Sequence, residues 1–236
     1  MKKCIYILLI NLFAVFPAMA EKKCTSDIYI IFYATYQGKT GHIGIAVDNY
    51  KILVTDYKKQ GKIKQHMDTV ISKELTYYDM WPDEDEFSVF NAGKNLPAVY
   101  YKLPLHSGDE ITLNTLYDKG LPHKENYPSD GILQVKTTWQ QDQEMIFFLD
   151  SLINSKKGFN AQLFNCADFV RVALEKLLKV SLSSQEFVGT GMSTTPNKLY
   201  RTLRNQEKVL VIKNADEKAS GSFIEQRILY KIVNNK

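Results

Sequence analysis

The residues best suited to chemistry in this chain are Cys166 and His42. In the run Asn165-Cys166-Ala167-Asp168-Phe169-Val170 the asparagine is a helix-capping residue, which makes the cysteine the first residue of the helix it opens. Backbone amides without intrahelical partners gather at that turn and the helix dipole is positive there. Thiolate is therefore favoured over thiol, and the same amides suit a developing oxyanion. A sulfur nucleophile of this kind needs a base. Four histidines are present, His42, His66, His106 and His123. His66, His106 and His123 stand in polar, turn-rich surroundings and read as ordinary surface residues. His42 begins the run His42-Ile43-Gly44-Ile45-Ala46-Val47, whose alternation places His42, Gly44 and Ala46 on one face of a strand. Gly44 leaves room beside His42 for another element, such as the end of a helix. A histidine base also needs an acceptor to orient it, and the next expected strand carries Asp56 just after Ile52, Leu53 and Val54. Asp56 is thus the expected third member. Asp168, near the thiol in sequence, is explained by the preference of the first helical turn for an acid.

These residues need elements to position them. Residues 27–35 are rich in Ile, Tyr and Phe, residues 36–41 supply turn chemistry, and residues 42–47 and 51–57 follow as strands, so an antiparallel meander is expected over 27–57. Short apolar runs at 87–90, 99–105 and 132–135 predict further strands. The polar stretches at 82–86 and 106–130, the latter broken by Pro122 and Pro128, are expected to be insertions or flaps. Thr138-Trp139-Gln140-Gln141 has the capping-box pattern, and Met145, Phe148, Leu149, Leu152 and Ile153 then recur at helical spacing to near Asn154. In the Cys166 helix, Phe169, Val170, Ala173, Leu174 and Leu177 form one apolar face. Thr195-Pro196 opens a short helix through Leu199 and Leu203. Residues 209–212 and 228–232 look like closing strands.

The first twenty residues stand apart. Lys2 and Lys3 precede an apolar stretch over 5–16, and Pro17 leads into Ala18-Met19-Ala20, the small-x-small pattern of a secretory signal cleaved near Ala20. Crossing a bilayer takes roughly 20 apolar residues, so a transmembrane segment is not expected in the mature chain. Export, to a periplasm or beyond, follows. Glu21-Lys22-Lys23 before Cys24 argues against lipidation, since a lipoprotein signal has small apolar residues there. Cys4 leaves with the signal, and Cys24 and Cys166 are too few for a disulfide framework, although one bridge is conceivable. The composition, 44% apolar and 24% charged, is that of a globular chain. A net charge of +4 without a basic block excludes a phosphate-tracking nucleic-acid binder. No Cys-x-x-Cys or His-Glu-x-x-His spacing occurs, so neither a metal nor another cofactor is expected.

The order His42-Ile43-Gly44-Ile45 on an early strand, a polar residue on the following strand, then Asn165-Cys166-Ala167-Asp168-Phe169-Val170 opening a late helix resembles the circularly permuted NlpC-type papain-like hydrolases. That superfamily includes YiiX-like amidases and the lecithin retinol acyltransferase group. The resemblance spans residues 27–205, with the Thr195-Pro196 helix similar to the tail of such domains. It implies Cys166 as nucleophile and His42 as base, with Asp56 assigned third by position. The expected fold is α+β, an antiparallel sheet or half-barrel packed against the helix that carries the cysteine. The expected organisation is a signal over 1–20, a hydrolase domain over 21–205 and an accessory hairpin or closing strands over 206–236.

The resemblance implies an exported cysteine hydrolase, an amidase or peptidase acting through an acyl-enzyme, with a cell-wall peptide as the expected substrate. A lipid ester or amide, hydrolysed or used in acyl transfer, is the alternative. A different class is a binding module that keeps the fold without catalysis, with Cys166 simply a small buried residue of an amphipathic helix. In either class Tyr77, Tyr78, Trp81, Tyr100 and Tyr101 are expected to line a ligand groove or to pack in the core.

Overall fold

The apolar run of strand β1, Ser26–Tyr33, is almost continuous rather than alternating, the pattern of a strand covered on both faces. A computed structural model of the chain describes residues 26–36, 41–49, 51–70, 74–83, 93–103, 111–121, 127–188 and 191–222. In it β1 lies inside a six-stranded sheet, paired antiparallel with β2 (His42–Asp48) on one side. Strand β7 (Gly131–Thr137) pairs with it on the other. Two hairpins stand outside that sheet, β3 (Lys51–Lys59) with β4 (Lys62–Val70) and β8 (Gln185–Val188) with β9 (Gly191–Thr194). Strands β5 (Leu75–Pro82), β6 (Ala98–Leu103) and β10 (Val209–Lys213) complete the sheet in the order β10-β7-β1-β2-β5-β6. All its pairings are antiparallel.

Ile28, Ile30 and Phe32 of β1 share one face with Ile43, Ile45 and Val47 of β2. This face is covered by helices α1 (Trp139–Asn154), α2 (Cys166–Leu178) and α3 (Pro196–Leu203). The opposite face carries Tyr29, Ile31, Tyr33, Ala46 and Tyr77, packed under Ile111, Leu116, Leu121 and Tyr127. The chain is therefore a mixed α+β fold built on a mostly antiparallel sheet.

Helix ends follow the sequence closely. Thr138 caps α1 through a full capping box with Gln141, and the helix runs to Asn154. Thr195 caps α3 by accepting from the Lys198 amide, with Pro196 in the first turn. The Phe32 and Tyr200 rings stack at 4.3 Å and fasten α3 to β1.

The meander ends after β2. Gln60 and Gly61 both have positive φ, 52° and 73°, the requirement of a type I′ turn that closes a tight hairpin. Residues 51–70 accordingly pair with themselves over nine residue pairs instead of adding to β2. The strand that does pair with β2 is β5, and Asn49 bonds across to Glu74 and Thr76 to start that ladder. Asp56 is thus opposite Gln65 in a separate sheet, not on the strand next to His42, which corrects its expected placement.

Strands β6, β7 and β10 fall where apolar runs predict them, at Ala98–Leu103, Gly131–Thr137 and Val209–Lys213. The expected signal over 1–20, Cys4, Cys24, His106, His123 and the expected strands at 87–90 and 228–232 lie outside the described residues. Among the described residues no helix is long and apolar enough to cross a membrane.

Candidate active site

Helix α2 begins at Cys166 because Asn165 stops the preceding loop and satisfies the first turn. The Asn165 side-chain oxygen accepts from the amides of Ala167 at 2.8 Å and Asp168 at 3.2 Å. Its amide group donates to the carbonyls of Ala161 at 3.0 Å and Thr194 at 2.9 Å, which pins the turn to the loop before it and to β9. Asp168 closes the capping box by accepting from the Asn165 amide, and it also takes Thr194 Oγ1 at 2.6 Å and the Arg171 guanidinium at 3.0 Å. Asp168 is therefore a structural acid of the helix start. Cys166 is a free thiol, 8% exposed.

His42 opens β2 on the face away from the three helices' apolar contacts, 2% exposed. The fold sets its ring beside Cys166 at the end of the sheet, near enough for the sulfur to act on the charge of the imidazole, although 124 positions separate them in the chain. His42 Nε2 lies 3.0 Å from Asp79 Oδ2. That leaves Nδ1 as the ring nitrogen for the sulfur.

Asp79 is the acceptor that the sequence reasoning placed at Asp56. It is fully buried in the middle of β5. Its Oδ2 receives Tyr77 Oη and Trp81 Nε1, each at 3.0 Å, in addition to the imidazole. Three donors converge on one carboxylate oxygen, an arrangement that stabilises a buried negative charge. Extending the β2–β5 register from Ile45–Tyr78 sets Gly44 opposite Asp79 and His42 opposite Trp81. The indole does stack on the imidazole, with centroids 4.0 Å apart and planes 24° apart.

Gly44 makes this possible, in a way different from the expected docking of a helix end. A Cβ at Gly44 would stand 2.2 Å from Tyr77 Oη and 2.6 Å from Tyr77 Cζ. The space beside His42 is filled by the tyrosine whose hydroxyl reaches Asp79.

Burial by itself disfavours a charged imidazole at His42. The negative charge of Cys166, the hydrogen bonds to Asp79 and Cys166 and the charge of Asp79 outweigh it and push the His42 pKa up to about 9. At neutral pH the ring is an imidazolium between a sulfur and a carboxylate. Burial and the Asp79 charge push Tyr77 well above the usual phenol range, so its hydroxyl stays a donor. Tyr127, half-buried, is pushed up by burial and by the charges of Asp130 and Cys166. Its ring lies 5.1 Å from Tyr33, and Tyr33 lies 5.9 Å from His42.

Of the sequence candidates, Cys166 and His42 are brought together and Asp56 is not. Asp79 was missed as a site residue, and Tyr77 and Trp81, expected to line a groove or pack, are the donors to it. The available signal was an acid with an aromatic two positions to either side, Tyr77-Tyr78-Asp79-Met80-Trp81, which places all three polar groups on one face of a strand. His66 lies on β4 opposite Thr55. Among the described residues no group of three or more histidines, cysteines or carboxylates is arranged to hold a metal.

The chain matches no protein-family model, and neither the curated proteins nor the solved structures include a chain similar to it.

Proposed function

We propose that this protein is a cysteine hydrolase of acyl compounds, with Cys166 as nucleophile, His42 as general acid and base, and Asp79 as the orienting carboxylate. The observation that carries the reading is a buried His42 whose Nε2 lies 3.0 Å from the buried Asp79 and whose ring is set beside Cys166 at the start of a helix. A structural cysteine has no need of an imidazole beside it whose ring is oriented by a buried carboxylate.

The chemistry follows from positions. The Cys166 sulfur attacks the acyl carbon, and the C–S bond forms as the carbonyl electrons move to oxygen. Asn165 occupies the amides of Ala167 and Asp168, and its carbonyl takes that of Phe169, so the Cys166 amide is the first-turn donor left to face the oxyanion. His42 passes its Nδ1 proton to the leaving nitrogen or oxygen as that bond breaks. Water then attacks the thioester, His42 takes a proton from it, and the acid leaves with the thiolate and imidazolium restored. Asp79 keeps Nε2 protonated, so that Nδ1 is the nitrogen that exchanges the proton.

A base on an early strand and a nucleophile on a later helix also support the permuted papain-like fold, and with it an amide bond in a cell-wall peptide as the substrate class. The test is a panel of peptide amides and acyl esters incubated with the purified mature protein and with Cys166→Ala. Hydrolysis that appears only with the intact thiol, together with an acyl adduct on Cys166 in the mass spectrum, supports the proposal. Turnover unaffected by Cys166→Ala contradicts it.

A further inference from the structure

The nucleophile and the base come from different elements, and a single short segment grips both. Ser193 and Thr194 end β9 and lead through Thr195 into α3, whose second residue is Asn197. On the nucleophile side, Thr194 Oγ1 donates to Asp168 at 2.6 Å, and the Thr194 carbonyl accepts from the Asn165 side chain at 2.9 Å. Ser193 Oγ donates to the Ala161 carbonyl at 2.5 Å. These bonds fix the turn that presents Cys166.

On the base side the link is Asn197, fully buried. Its Oδ1 accepts from the Thr35 amide at 2.9 Å, and its Nδ2 reaches the Thr35 carbonyl at 3.4 Å. Thr35 Oγ1 in turn accepts from the Gly41 amide at 3.0 Å. Gly41 is the residue before His42, and it sits so close to Thr35 that a Cβ there would be 2.2 Å from Thr35 Oγ1. The same Asn197 amide donates to the carbonyls of Gly221 at 2.8 Å and Ala219 at 3.1 Å, which anchors α3 and the chain beyond β10 to this point.

We infer that residues 193–197 form a clamp that sets the separation of sulfur and imidazole, with Asn197 and Thr35 as positioning residues for His42. The inference rests on the proposed cysteine chemistry. Asn197 touches neither the sulfur nor the ring. It acts through the Thr35–Gly41 contact, which holds the end of the β1–β2 connection from which His42 starts. A side-chain amide is suited to this task because it offers both an acceptor and donors to backbone groups in one plane. Misplacing reacting groups by about 1 Å costs on the order of a hundredfold in rate, so a loosened clamp reaches the site without any contact to substrate.

The test measures alkylation of Cys166 by iodoacetamide as a function of pH, followed by peptide mass spectrometry so that Cys24 is counted separately. It is run on the mature wild type, His42→Ala, Asn197→Ala, Thr35→Val and Thr35→Ser. In the clamp account, Thr35→Val and Asn197→Ala lower the rate at pH 7.5 by roughly tenfold to a hundredfold and flatten the His42-dependent part of the pH profile. Thr35→Ser, which keeps the hydroxyl, retains the wild-type profile. Thermal unfolding is recorded for each variant, and if Asn197→Ala does not fold, the Thr35 pair decides the matter. Wild-type profiles in Thr35→Val or a folded Asn197→Ala overturn the clamp while leaving the Cys166–His42 reading intact. Wild-type alkylation that ignores His42→Ala overturns the underlying reading instead.

Discussion

Replacing Asp79 by asparagine removes the charge on which His42, Tyr77 and Trp81 converge while keeping the shape of the side chain. A hydrogen bond to a charged group contributes about 1.5–3 kcal/mol. One pH unit of differential stabilisation is about 1.4 kcal/mol, so the loss corresponds to roughly one to two units. The His42 midpoint should therefore fall from about 9 to roughly 7–8 in Asp79→Asn. At pH 8 the imidazolium fraction then drops from about nine-tenths to between one-half and one-tenth, and the amide has a donor of its own that can set the wrong tautomer. Stability moves with it. A histidine whose folded pKa is raised adds stability that is complete below its unfolded value, near 6.5, and is lost as pH rises through about 9. In the variant that loss is smaller and is over at lower pH. The assay is a proton NMR titration of the imidazole Cε1–H. The chain has only four histidines, and His42→Gln identifies the signal. A midpoint in Asp79→Asn within about 0.3 units of the wild type, or above it, would falsify the assignment of Asp79 as a group that, with Cys166, holds the charge on His42.

Further outcomes follow from the same geometry. Gly44→Ala sets a methyl group 2.2 Å from Tyr77 Oη and must displace that ring from Asp79. The expected cost is about 1–3 kcal/mol of overpacking in urea unfolding; wild-type stability in the variant counts against the packing argument. Asp56→Asn should leave the His42 titration and Cys166 alkylation at wild-type values, because Asp56 pairs with Gln65 in a separate hairpin. A tenfold loss of alkylation there would restore Asp56 to the site. Asp142, bonded to Ser26 and Thr137, is pushed up to about 8, chiefly by burial, so the folded state keeps a proton that the unfolded chain releases above about 4. The stability from this group is complete at low pH and is lost as pH rises through about 8, so the melting temperature should fall between pH 5 and pH 8 and the slope should shrink in Asp142→Asn. An equal slope in that variant assigns the effect to other groups.

What the sequence made legible is what local chemistry decides. Asn165, Thr138 and Thr195 each announce a helix start through the side-chain oxygen that caps it, and the structure has all three caps. His42 is legible because its strand alternates. Asp79 was hidden because the partner of a strand depends on which segment returns to it, and here that was decided by the Gln60–Gly61 turn. Once residues 51–70 close on themselves, β5 takes the place beside β2 and its only acid falls next to His42. Gly44 was recognised as a space but not for its occupant, since a glycine shows that something comes close without saying what.

The most direct test of the central claim is labelling of the purified protein with an acyl-type electrophilic probe at pH 7.5, with the modified cysteine read by mass spectrometry. The account predicts rapid modification of Cys166 over Cys24, reduced by at least about tenfold in both His42→Ala and Asp79→Asn. Slow labelling of Cys166 that is the same in all three proteins would contradict it.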